Sequence, residues 1–326
     1  MNPIASPTRP TSALHHGLVY ACALGVALWI ALAALTTGTA AQTPAASRTF
    51  ATPEEAAKAL VDTVKKGDVS ALLAIFGSEG KDLLDSSDPA TARMNQQVFI
   101  VAAGEQWHLE DASPNRKTLV IGNENWPFPV PLVKDGAAWR FDTAAGKEEI
   151  LARRIGRNEL ETIATLRAYV AAQQRYAAQG RDGKPSGIYA AKLASDPGKQ
   201  NGLYWPTTKG QVRSPLGELV AQAAEEGRAI NTAGAQPAAF HGYRFKILTA
   251  QGPAAPGGAR SYIVKGEMSG GFAIVAWPAQ YDVTGVMTLI VGSDGVIREK
   301  DFGPGTDAAA KKMTVYNPDS SWKQVQ

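Results

Sequence analysis

Thiol chemistry is almost absent from this chain, whose 326 residues include a single cysteine, Cys22. It lies in the apolar run "LVYACALGVALWIALAAL" near the start, so the rest of the chain offers no disulfide, thiol nucleophile or cysteine metal ligand. The lipoprotein pattern is poorly met, because "VYAC" has the bulky Tyr20 where a small residue is needed and comes too early, which favours loss of Cys22 with the leader over its lipidation. Histidine is nearly as scarce. Of four, His15 and His16 belong to the leader, leaving only His108 and His241, far apart in sequence. Two isolated imidazoles without cysteine argue against zinc. A serine hydrolase also needs a G-x-S-x-G elbow, and the nearest approach, "GEMSGG", puts Glu267 where the first glycine belongs. Excess charge of one sign is missing as well. Lys+Arg 33 against Asp+Glu 30 gives +3, and there is no basic-aromatic array for nucleic acid.

What is present begins with a targeting segment. Residues 1–17 carry one arginine and no acid, 18 uncharged residues follow, and "TTGTAAQ" closes with small side chains. This is the layout of a signal peptide cleaved after Ala41. An uncleaved membrane anchor over residues 18–35 is the rival reading, since 18 apolar residues reach the lower limit for a spanning helix. Either way the remainder is expected in the periplasm or cell envelope, with membrane contact only through residues 18–35 if they are retained.

Beyond a linker at 42–50, the charge is unevenly divided. Residues 42–150 hold 11 basic and 16 acidic side chains, net −5, and residues 151–326 hold 21 and 14, net +7. This supports a boundary near 150 between two modules, 51–150 and 151–326. In the first, Thr52 caps a helix with Pro53 at its first position and Glu55 completing a capping box, and Gly67 stops it. Asp68 caps a second helix. From about 97 the runs "VFIVAAG", "QWHLED", "TLVIGN" and "PLVKDGAAWRFD" read as strands, with Asp135-Gly136 a hairpin turn.

The second module repeats the order. Asn158 and Glu161 have the spacing to open a helix through residue 179, and a shorter helix is expected at 215–226. Strand candidates follow at 242–250, 260–268, 271–277, 284–292 and 295–301. Their short links favour an antiparallel meander. In it, Gly270-Gly271 would turn the chain between two strands and "QGPAAPGGAR" would be a wide flexible loop. The expected fold class is therefore α+β, as two modules each with helix followed by antiparallel sheet.

Two motif lookalikes fail on context. "GPGTDA" fits G-x-G-x-x-A, but antiparallel strands precede it and too little chain follows for a dinucleotide fold. "SSWK" fits S-x-x-K, yet lies at the C-terminus without companion motifs. Carboxylate chemistry is the hardest to exclude: Asp282, Asp294, Glu299 and Asp301 all belong to the meander, and glycoside hydrolysis needs only two acids at suitable separation. No catalytic residue, metal site or cofactor is assigned. The aromatic and polar residues of the meander, His241, Tyr243, Trp277, Tyr281 and Asp282, are the candidates for contacting a ligand. Acids converging beside Trp277 would indicate an enzyme, and an open sheet edge or apolar patch a binding module.

The segments "FHGYRFKILTAQG", "GGFAIVAWPAQYDVTGVMTLIVGSDGVIREKDFG" and "YVAAQQRYAAQGRDG…GIYA" resemble the bacterial envelope family called domain of unknown function 2950, over about residues 50 to 325. The resemblance implies an envelope setting and no particular activity. The C-terminal half is more distantly similar to pseudopilin globular heads. It departs from them because about 120 residues separate the apolar stem from the helix. The first half is similar, more vaguely, to cystatin-like or nuclear-transport-factor-like folds. The expected function is that of an exported envelope protein acting as a non-catalytic binding or assembly module on an unidentified envelope protein or ligand. The alternative is an envelope hydrolase using carboxylates near the meander.

Overall fold

The computed structural model describes residues 47–84, 89–207, 213–217 and 239–325. The leader 1–41 lies outside the described residues, as does the expected 215–226 helix beyond residue 217. The chain is α+β, and each of its hydrophobic cores pairs helices with an antiparallel sheet.

The first core is built by α1 (Pro53–Lys66), α2 (Val69–Phe76), α3 (Gly80–Leu84) and α4 (Pro89–Glu105), followed by the strands β1 (Trp107–Ser113), β2 (Arg116–Ile121), β3 (Trp126–Pro127), β4 (Leu132–Asp135) and β5 (Ala138–Phe141). The caps of α1 and α2 form as their sequences dictate. Thr52 Oγ1 accepts the Glu55 N–H, Gly67 takes the left-handed conformation at φ 67°, and Asp68 accepts the Ala71 N–H. Ala56, Leu60 and Val64 recur every four residues and are buried with Phe76, Phe99, Leu119 and Phe141. Edge-on aromatic contacts, Phe76 on Phe141 at 5.5 Å and Phe99 on Phe128 at 5.7 Å, lock this core. Phe50, placed by sequence in the linker, instead exchanges backbone hydrogen bonds with Trp139 and joins the sheet.

"VFIVAAG" is helical, against the strand expected for it. It forms the C-terminal part of α4, where Phe99, Ala102 and Ala103 share one buried face. A short apolar run satisfies either period, and the spacing i, i+3, i+4 of the residues that found a core decided it.

The helix expected to open at Asn158 starts fifteen residues earlier. α5 runs unbroken from Thr143 to Gln179, capped by Asp142 accepting from the Ala145 N–H. It crosses the position near 150 where the charge balance changes. Its first turns meet the first core, with Gly146 against Val130, and its second half enters the other core through Leu166, Tyr169, Ala172 and Tyr176.

The second sheet contains β6 (Tyr243–Leu248), β11 (Ala273–Pro278), β12 (Thr288–Gly292), β13 (Arg298–Lys300) and β15 (Lys323–Gln324), in the order β15-β13-β12-β11-β6 and antiparallel throughout. β11 is buried along its whole length, as its apolar sequence requires of a central strand. α5 covers one face. α6 (Thr306–Lys312), entered from a 3₁₀ turn at Gly303–Gly305, packs on the other. The meander is interrupted, however. β7 (Ala250–Gln251) pairs with β8 (Arg260–Ser261) and, in parallel, with β14 (Val315–Tyr316), while β9 (Ile263–Val264) and β10 (Glu267–Met268) form a separate hairpin. Thus β11 pairs with β6, and Gly270-Gly271 does not turn one sheet strand into the next. Gly270 instead lets the chain pass against the backbone of Ser261 and Tyr262, where a Cβ would lie 2.4 Å from Ser261 O.

The loop "GPAAPGG" is packed rather than loose. Gln251 is buried and its Nε2 donates to the carbonyls of Pro256 (2.8 Å) and Gly258 (2.6 Å), while Oε1 accepts from the Tyr262 hydroxyl. Ala255 is buried beneath it, and Asn317 Oδ1 accepts the Ala254 N–H at 3.0 Å.

Candidate functional site

Four of the five candidate residues collect where α5 crosses the end of the second sheet. Phe240 and Tyr243 exchange backbone hydrogen bonds of 2.8 and 2.9 Å around His241 and Gly242, both left-handed at φ 48° and 72°. This is a two-residue hairpin turn with two left-handed positions, and histidine is among the few side chains that tolerate one. The turn tips the His241 ring inward, where Nδ1 pairs with the Glu161 carboxylate of α5. Gly242 is required for close approach as well as for φ, since a Cβ there would lie 2.5 Å from Asn158 Nδ2.

Tyr243 follows, wholly buried. Its hydroxyl sits 2.9 Å from Met287 O and 3.3 Å from Glu159 Oε1. The same Glu159 oxygen accepts the backbone N–H groups of Val286 (2.9 Å) and Met287 (3.0 Å), and Asn158 Nδ2 donates to Thr284 O at 2.8 Å. One helical turn therefore holds both the β6 entry and the loop into β12. Burial, reinforced by the Glu159 charge, pushes the Tyr243 phenol far above its usual range, so it acts only as a hydroxyl.

Tyr281 and Asp282 lie in the adjoining turn, closed by the Asp282 N–H donating to Gly285 O; a Cβ on Gly285 would fall on the Tyr243 hydroxyl. Asp282 is exposed, with a left-handed φ of 59° that serves the turn, and the Tyr281 hydroxyl is 3.3 Å from Asp301 Oδ2. Trp277 is not brought to this group. In register it stands opposite Arg244, one residue on from Tyr243, and so on the other face of the sheet. There its Nε1 donates to Asp307 Oδ1 at 3.1 Å, the oxygen that Arg244 also reaches at 2.9 Å, while Lys311 pairs with Oδ2. Hydrogen bonds from Lys311 and then Trp277 hold the Asp307 carboxyl below the usual carboxylate range.

Three residues organise this end of the sheet: Asn158 and Glu161, which by spacing alone read as a helix start, and Glu159, which no capping pattern marks. The available signal was "NELET", polar at positions where a covered helix would carry its apolar stripe. Thr162 and Thr165 are indeed buried, each returning its hydroxyl to the carbonyl four residues back. Glu299 on β13 belongs with this group. Paired in register with Leu289, it shares the face of Tyr243 and Glu159, and burial, then the Glu159 charge, raises its carboxyl above 4.5 against the opposing pull of Lys323.

A second feature is the outer edge of the first sheet. The strand order is β1-β2-β4-β5, and the β5 side is closed by Phe50. Among the described residues β1 has no partner on its outer side. Trp107 and Leu109 lean onto the first core, whereas His108 and Glu110 stand on the opposite face, 46% and 61% exposed and 3.4 Å apart.

Among the described residues no three His, Cys, Asp or Glu side chains are grouped to hold a metal ion, and no helix is long and apolar enough to cross a membrane.

Residues 47–325 match the family model described as protein of unknown function (DUF2950), and the chain belongs to that family. Comparison with curated proteins and with solved structures returns no match, so the cystatin-like, nuclear-transport-factor-like and pseudopilin-head likenesses gain no support from a solved structure.

Proposed function

We propose that this DUF2950 member is an exported envelope protein that works by binding or assembly and not by catalysis. Export rests on the uncharged run 18–35 and the small residues before Gln42. The observation that carries the binding reading is the outer edge of the seven-residue strand β1, which among the described residues has no partner and which stands against the lack, among those residues, of converging acids at Trp277. An open strand edge recognises an extended partner segment through main-chain hydrogen bonds, with alternate side chains giving selectivity. At Trp277, by contrast, the Asp307 carboxylate is already held by Arg244, Lys311 and the indole N–H. Asp294 is likewise held by Arg298 and Tyr316, and Asp301 by the Gly303 N–H. The test is affinity capture from envelope extract with the full chain, comparing wild type with Asp111→Pro, which removes an outward-facing backbone N–H and leaves the β1–β2 hydrogen bonds in place. A partner retained by the first and lost by the second supports the reading. The same proteins captured by both, or none by either, contradicts it.

One observation favours the alternative of a carboxylate hydrolase. Glu299, whose carboxyl is raised by burial and then by the Glu159 charge, lies on the same face as Glu159, and glycoside hydrolysis needs only two carboxyls at suitable separation. On that reading Glu299→Gln abolishes turnover of a glycoside or ester substrate without unfolding the chain.

A further inference from the structure

We infer that the occupant of the β1 edge is a second copy of this chain, paired antiparallel across a two-fold axis through Leu109; this rests on the binding reading above. β1 is the longest strand of the first sheet, and among the described residues nothing pairs with its outer side. A two-fold pairing of identical strands allows few registers, and the side chains discriminate among them. Centred on Leu109, it sets Leu109 against its copy on the core-facing side. On the other face it sets each His108 opposite the Glu110 of the second copy. His108 Nε2 and Glu110 Oε1 already approach to 3.4 Å within one strand, so the dyad would bring two imidazoles and two carboxylates into one alternating ring. A ring N–H facing a carboxylate directly across a strand pair can hydrogen-bond, whereas two like charges there repel.

The neighbouring registers are poorer. Centring on Glu110 places two carboxylates face to face and sets Leu109 against Asp111. Shifting by half a step puts Leu109 against Glu110. A one-residue slip also reverses which side chains face the core. The charges on β1 therefore act selectively: they repel unrelated or misregistered strands, as charged edges do, while fitting one self-pairing. Trp107, half-buried at the start of the strand, would lie opposite Asp111, whose carboxylate is drawn to Lys117 of its own chain.

The experiment uses the full chain with Cys22→Ser, so that each introduced cysteine is the only one. Directly opposed residues have Cα atoms about 4.5–5.5 Å apart, within the Cα separation of roughly 4.4–6.8 Å that a disulfide spans. Leu109→Cys is expected to give a disulfide-linked dimer on mild oxidation. Glu110→Cys is expected to give none, because in this register its Cα atoms lie roughly 8 Å apart, from a rise of about 3.4 Å per residue and a strand spacing near 4.8 Å. Leu109 packs partly on the core, so sedimentation of the unsubstituted protein provides a second measurement, with a reversible dimer expected. A monomer at all concentrations with no Leu109→Cys product overturns the inference. So does cross-linking of Glu110→Cys in place of Leu109→Cys. A monomer that still captures an envelope partner through β1 sinks the self-pairing while leaving the binding reading standing.

Discussion

The Glu159 carboxylate of α5 and the Tyr243 hydroxyl of β6 meet across the helix–sheet interface at 3.3 Å, and Glu159 also receives two backbone N–H groups from the loop before β12. This contact ties three segments distant in sequence. Removing the acceptor should therefore cost more than removing the hydroxyl. Glu159→Ala leaves two backbone donors without their charged partner and should destabilise by about 2–3 kcal/mol, against about 1 kcal/mol for Tyr243→Phe. Denaturant melts of the single and double variants check this, and the two changes should be non-additive because the side chains touch. Equal costs, or strict additivity, would remove Glu159 from its place in the joint.

The Pro-Gly loop offers a reversal. From sequence alone, deleting Ala254 to Gly257 should cost well under about 1 kcal/mol, the closure entropy of a flexible loop. The structure predicts about 2–4 kcal/mol instead. The deletion removes the Pro256 carbonyl that Gln251 holds, takes away buried Ala255, and strands a buried amide. It should approach Ile274→Ala, which empties a fully buried site in β11 at about 2–5 kcal/mol. Urea melts of the two variants side by side give the comparison. The loop's polar groups are already used internally, so its order does not mark it as a ligand site.

Much of this architecture was legible in the sequence. The caps at Thr52 and Asp68 depend on local chemistry and form where the residues place them, and the Asp135-Gly136 signal marks a real hairpin whose two linking residues fall one position on, at Gly136-Ala137. Three things were not legible. "VFIVAAG" satisfies both periods until Phe99 and the two alanines find a core. α5 reads as beginning at Asn158 because Arg153-Arg154 and the polar 158–161 turn break its apolar stripe, and only long-range contacts explain that break. Of the residues read from sequence as candidates for contacting a ligand, His241 and Tyr243 lie in one locality, while alternation along β11 puts Trp277 on the opposite face. Register, which no single strand reveals, made that division.

Thr288 carries a wholly buried hydroxyl that has no hydrogen-bond partner among the described residues. Replacing it with valine keeps the branched shape and removes a group that is costly to desolvate. Thr288→Val should therefore be neutral or stabilise by up to about 1–2 kcal/mol, an unusual result for a core hydroxyl. Thermal melts decide, and a loss of about 2 kcal/mol or more contradicts the assignment.

Glu299 supplies a pH dependence of definite sign. Burial, and then the Glu159 charge, raises its folded pKa above the ordinary 4.5. An acid raised in this way binds its proton more tightly in the folded state, so stability is greatest below the ordinary value and is lost as pH rises through the raised one. Glu299→Gln mimics the protonated form. Its melting temperature should exceed that of wild type at neutral pH, with the difference closing in acid. A constant difference across the pH range would show that the side chain acts through packing alone.

β1 is the proposed contact surface, and photo-cross-linking in intact cells tests that most directly. A photoreactive residue placed at His108 on the β1 edge is compared with one at Leu160, which is 69% exposed on α5 and belongs to no proposed surface. The prediction is a discrete cross-linked product at 108 and none at 160, with a mass of twice the chain if the partner is a second copy. Equal products at both positions, or none at 108, together with hydrolytic turnover that disappears in Glu299→Gln, would contradict the binding account and leave the carboxylate enzyme in its place.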